Sequence, residues 1–153
     1  MRPVWWSSRA SRMRLLHLAR DAFGDWRFLG GLLSLALAVR VSNLLLGFNR
    51  TSRLLPQIKM PAAAAPSERE MQRYRRMIGW AHRLAPALNC LCISTAAWWL
   101  LRRRGIGAEM KFGVQAGGEG LRAHAWLEYD GRPITNERGL RDRYSVFPKS
   151  ILQ

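Results

Sequence analysis

The twelve residues from Cys90 to Leu101 carry no charge, and both ends of the run are marked. Pro86 stops whatever precedes it, and Asn89 stands at the N-cap position, where a side-chain oxygen can accept from the first turn. Arg102, Arg103 and Arg104 follow at the negative end of a helix dipole, and Gly105 takes the position just past a helix end. The pattern predicts a helix that begins at Cys90. Trp98 and Trp99 are adjacent and cannot share one narrow stripe, so this helix is expected to be buried on more than one side. The other elements must then wrap around it.

Downstream the apolar period changes to two. Ala108, Met110, Phe112 and Val114 alternate with Glu109, Lys111 and Gly113, which predicts a half-buried strand. Residues 115–120 contain Gly117, Gly118 and Gly120 and read as a connection. A second strand runs from Leu121 to Tyr129, with His124 and Trp126 on one face. Tyr129-Asp130-Gly131 then looks like a hairpin loop. A two-residue loop, Asp130-Gly131, brings Glu137 opposite His124. A three-residue loop with Gly131 left-handed brings Asn136 there. The three-residue loop is preferred, because Gly at the third position suits a bulged turn.

Cys90 and His124 are the residues with chemistry to offer. At the first position of a helix, the dipole and unpaired N–H groups stabilise a thiolate. A Cys there and a His on a strand form a nucleophile and its base. An Asn or carboxylate beside the imidazole could orient it, and either register supplies one. Cys92 lies about 200° round the helix from Cys90 and reads as a small buried hydrophobe. Two residues apart on a helix, the cysteines cannot pair, which fits a reducing, cytoplasmic compartment. Cys-x-Cys with one His is a ligand short of a zinc site, so no metal and no cofactor are expected.

Upstream, Pro56, Pro61, Ala62 to Ala65 and Pro66 read as a connector. Ser67 and Glu70 make a capping box that starts a helix at Glu68. Met71, Tyr74, Ile78, Ala81 and Ala85 form its buried face, with His82 on the flank. Earlier still, Phe28 to Val39 is apolar apart from Ser34, but Arg40 and Asn43 interrupt before Leu44-Leu45-Leu46. A run of about 12 residues is short of the roughly 20 that span a bilayer. One or two helices packed on the domain or on a partner are expected. The second reading is a helix on the membrane surface with Trp and Arg at the interface. The expected organisation is a basic, apolar helical segment over 1–60, a linker over 61–67 and the main domain over 68–153.

The formal net charge is +15. Such a balance favours acidic partners in general. The chain has no zinc-finger pattern, recognition helix or aromatic platform, so nucleic acid is not an expected partner.

Several ordered blocks carry a resemblance. Cys90-Leu91 at a helix start, Leu100-Leu101-Arg102-Arg103-Arg104-Gly105-Ile106, His124-Ala125-Trp126-Leu127-Glu128 and Asp130-Gly131 stand in this order. Together they resemble the transglutaminase-like leader peptidases of lasso-peptide biosynthesis, over residues 70–137. The hydrophobic, basic N-terminal segment looks like that of the stand-alone peptidase. The resemblance implies an α+β fold: a transglutaminase/papain-like cysteine peptidase core with N-terminal helices and a small antiparallel sheet. It implies leader removal from a lasso precursor peptide, with a leader-recognition protein as partner and a separate macrocyclase acting afterwards. By the same resemblance Cys90 is the nucleophile, His124 the base and acid, and Asn136 the third member, where the family pattern usually has Asp. The rival readings are a non-catalytic scaffold of the same fold and a basic protein of membrane or nucleic-acid surfaces.

Overall fold

The computed structural model describes residues 7–48, 50, 51, 61, 65–117, 120–135 and 139–147. A single 40-residue helix, α1 (Ser7–Leu46), opens the chain, and Gly47 ends it with a left-handed φ of 79°. Arg40 and Asn43 do not interrupt this helix, and each meets a partner near the start of a later helix. Arg40 Nη1 donates to the Ala87 carbonyl, and Asn43 Nδ2 lies 4.0 Å from Cys92 Sγ. The segment Gly24–Leu46 is thereby long and apolar enough to cross a membrane, by length and composition alone, which corrects the shorter run read from the sequence. Phe28, Leu29, Leu32, Ala36 and Val39 are buried on its inner side. Leu37, Val41, Leu44 and Leu45 are exposed.

The capping box forms as the sequence predicts. Ser67 Oγ accepts from Glu70 N at 3.3 Å, and Ser67 N donates to Glu70 Oε2 at 2.9 Å. Helix α2 (Glu68–Leu84) follows, burying Met71, Met77, Ile78 and Ala81. Arg73 Nε donates to Asp25 Oδ1 at 2.9 Å, and the Phe28 and Tyr74 rings sit 5.1 Å apart, so α2 is fastened to α1 by charge and by ring packing.

Helix α3 (Cys90–Arg102) is the centre around which α1, α2 and the sheet pack. Cys92 to Trp98 are all buried, as is Leu101. Gly105 is left-handed at φ 77°, and Ile106 N reaches back to Leu101 O at 3.0 Å, closing the helix end. The three arginines do more than face the dipole. Arg102 lies over the Trp98 ring, Arg103 over Trp99 and Arg104 over Phe28, at 5.0, 4.6 and 4.7 Å.

Strands β1 (Glu109–Gly117) and β2 (Gly120–Tyr129) form an antiparallel pair in which Gly113 lies opposite His124. A two-residue strand β3 (Arg132–Pro133), a short helix α4 (Leu140–Arg143) and strand β4 (Ser145–Val146) complete a small curled sheet of order β3-β2-β1-β4. The architecture is the expected α+β arrangement of N-terminal helices and a small antiparallel sheet.

The β2–β3 turn corrects one expectation. Tyr129 pairs with Arg132 and Glu128 with Pro133, so Asp130 and Gly131 alone make the loop. Their φ values are 50° and 69°. Two left-handed residues in a row form the turn whose twist matches flanking strands, and Asp tolerates that region well enough for no bulge to be needed. Pro133 fits because β2 turns the backbone of its odd-numbered residues toward β3. The ladder continues through Ile134 N to Leu127 O at 2.7 Å and never calls on an N–H at position 133.

Candidate active site

Asn89 is the N-cap of α3, with φ −71° and ψ 164°, and its Oδ1 accepts from Cys92 N at 2.9 Å. Ile93 N bonds to Asn89 O at 3.3 Å. The Leu91 N–H turns to the Cys90 sulfur. The first turn is thus ordered by its cap, and Cys90 is left half-buried at the positive end of the helix.

This end of α3 lies against the outer edge of β2. Ser94 Oγ donates to the Ala125 carbonyl at 3.0 Å, and the Ala125 amide faces the Cys90 sulfur and lowers its pKa. The helix thus takes the place that a neighbouring strand would fill beside Ala125. The side chain of His124, one residue earlier, acts on the Cys90 sulfur and lowers its pKa. Burial pushes the Cys90 thiol up. The bonds from His124 and from the Ala125 amide, with the His124 charge, outweigh it and bring the pKa below the ordinary thiol value. Cys92 behaves oppositely. It is 1 % exposed, and burial pushes its thiol up. The two neighbouring cysteines therefore differ as the helix geometry predicts.

Behind His124 stands a set of groups of which the sequence placed only Trp126 beside it. The His124 ring stacks on Tyr144 at 5.3 Å and on Trp126 at 6.0 Å, with interplanar angles of 27° and 19°. The Trp126 indole N–H donates to Glu128 Oε1 at 3.0 Å, and Arg141 Nε donates to the same oxygen at 3.0 Å. Burial pushes the Glu128 carboxyl up, but the bonds from Arg141 and Trp126 hold it below the usual carboxylate value. Gly113 makes the stack possible. A Cβ there would sit 2.8 Å from Tyr144 Cβ and 3.0 Å from the Trp126 ring. The signals were present but weak: a Gly inside an alternating strand, and Trp and Glu at two-residue steps after His124.

A cleft of about 270 Å³ opens beside the imidazole, lined by Ile78, Gly79, His82 and Arg83 of α2, His124 and Ala125 of β2, and Thr135. His82, a plain flank residue by sequence, therefore faces the same space as His124. Asn136 and Glu137 both lie outside the described residues. Among the described residues the pairing of β2 with β3 is traced through Ile134.

N-terminal helices packed on a small curled antiparallel sheet, with a thiol at a helix start beside a strand histidine, agree with a transglutaminase-like domain. A sequence model of the Transglutaminase-like superfamily matches residues 33–149, and the chain belongs to this superfamily, which includes cysteine peptidases. The match begins within α1 and takes in α2, α3 and the sheet. No curated protein and no solved structure matches the chain.

Proposed function

We propose that the protein is a cysteine peptidase that removes the leader from a lasso-peptide precursor. The observation that carries this reading is a half-buried Cys90 at a helix start, its thiol pKa lowered by the neighbouring His124 of β2. His124 holds the thiol proton while Cys90 Sγ attacks the carbonyl carbon at the leader–core junction. The Cys90 N–H, at the open end of the helix, steadies the resulting oxyanion. His124 delivers its proton to the leaving amine, the C–N bond breaks, and the core peptide departs with a free N-terminus. The leader remains as a thioester on Cys90. Water, giving a proton to His124, hydrolyses it to the leader carboxylate and restores the thiol. Asn136 is proposed to orient the imidazole.

In this reading a leader-recognition protein presents the precursor, and a separate macrocyclase takes the released core. The basic surface favours an acidic leader or partner. A cytoplasmic setting suits two free cysteines. The exposed Leu37, Val41, Leu44 and Leu45 of α1 support peripheral contact with an anionic bilayer, given the chain's +15 charge. Sedimentation with anionic vesicles tests that contact, and Leu44→Glu with Leu45→Glu is expected to abolish it.

The decisive experiment incubates the purified chain with its candidate precursor and leader-binding partner and follows the mass of the products. A single cut at the leader–core junction is expected, absent in Cys90→Ala. An unaltered rate in Cys90→Ala removes the mechanism. Specific nucleic-acid binding without any processing would favour the rival reading.

A further inference from the structure

We infer that the cleft beside His124 is a subsite for a carboxylate side chain close to the scissile bond of the peptide. The inference takes its ligand class, a peptide, from the peptidase reading above.

Position is the first argument. His124 and Ala125 line the cleft and both neighbour the Cys90 sulfur, so a peptide bond seated at the thiol has its neighbouring residues here. Size is the second. At about 270 Å³ the cleft falls just under the roughly 300–1,000 Å³ of drug-sized sites, which is room for one or two residues and not for a long leader. Chemistry is the third. The charged residue in the wall is Arg83, with His82 beside it, and none of the seven lining residues is Asp or Glu. Gly79 and buried Ile78 complete the α2 side of the cleft, and Ile78 offers apolar contact to the methylenes of a Glu or Asp. Among the described lining residues, a carboxylate entering this space meets a cation and no anion. Arg83 is exposed, so screening limits the preference to about three- to fivefold over the neutral amide.

The test uses the full chain and two capped tripeptides, N-acetyl-Gly-Glu-Gly amide and its Gln counterpart. Each is titrated against the rate at which iodoacetamide alkylates Cys90, read by fragment mass so that Cys92 is scored separately. The Glu peptide is expected to protect Cys90 at a concentration about three- to fivefold below the Gln peptide. Arg83→Glu should abolish or invert that order, Arg83→Lys should keep it, and Arg103→Glu, a charge change outside the cleft, should leave it alone. Equal protection by both peptides, protection by neither, or a preference that survives Arg83→Glu overturns the subsite. Glu-selective protection in a chain that does not cut its precursor would keep the subsite and remove the peptidase reading. Cutting without Glu selectivity would do the reverse.

Discussion

The Glu128 carboxylate accepts from both the Trp126 indole and the Arg141 guanidinium while only 2 % of the residue is exposed. This pair of bonds joins the segment after residue 138 to β2, and it fixes the ring on which His124 stacks. A carboxyl whose folded pKa lies below its unfolded value of 4.5 contributes stability that is complete above that value. The contribution fades as pH falls through the folded pKa. Glu128→Gln is expected to cost about 1.5–3 kcal/mol at pH 7, the range for a hydrogen bond to a charged group. It should also flatten the acid limb of the stability curve. Urea unfolding at pH 7 and pH 3 checks both points; equal loss of stability in the two proteins between these pH values would refute the account.

Alkylation of Cys90 should report its neighbours directly. With a lowered thiol pKa, the rate–pH profile is expected to rise at a lower pH than that of an ordinary cysteine. His124→Ala removes the bond and the charge but leaves the burial, so the midpoint should move upward. Cys92, with its pKa raised by burial, is expected to stay unmodified in the native protein. A profile unmoved by His124→Ala would mean that the imidazole does not act on the thiol.

Gly113→Ala tests the ring stack from the opposite strand. The added methyl meets Tyr144 Cβ and the Trp126 ring at distances that neighbours must yield to. The expected loss is about 1–3 kcal/mol, as for other overpacked sites. Peptidase activity should fall further than stability explains, because the displaced rings are those against His124. Thermal unfolding and precursor cleavage, measured on the same sample, separate the two effects.

Asn89→Ala removes the side-chain acceptor of the Cys92 N–H. About 1 kcal/mol of stability should be lost, the usual value of an N-cap. Fraying of the first turn should also weaken the Ala125 and Leu91 contacts to the sulfur and raise the Cys90 midpoint. Asn89→Asp should restore stability, since its carboxylate caps as well. Denaturant titration and the alkylation profile read the two outcomes.

What was legible in the sequence was chiefly local. The Asn89 cap, the Ser67–Glu70 box and the Asp130-Gly131 turn are each decided within a few residues, and the structure builds all three. The length of the turn was misjudged because Asp-Gly suits two loop types, and only the register with β3 distinguishes them. Arg40 and Asn43 looked like breaks because their partners, Ala87 and Cys92, lie more than forty residues away. Tyr144 follows no period that ties it to His124, so its place could come only from the folded sheet. The pairing of Cys90 with His124 was legible because helix start and strand phase each restrict where a side chain can point.

Many proteins capture a peptide by letting it join a sheet as one more strand, bonded through the backbone and largely indifferent to side chains. At Ala125 that route is closed, because its amide faces Cys90 and its carbonyl is held by Ser94. A substrate approaching the thiol finds no free backbone rung on β2 at that position. On the peptidase reading proposed above, this shifts recognition toward the substrate's side chains and gives the α2 wall a part in selectivity.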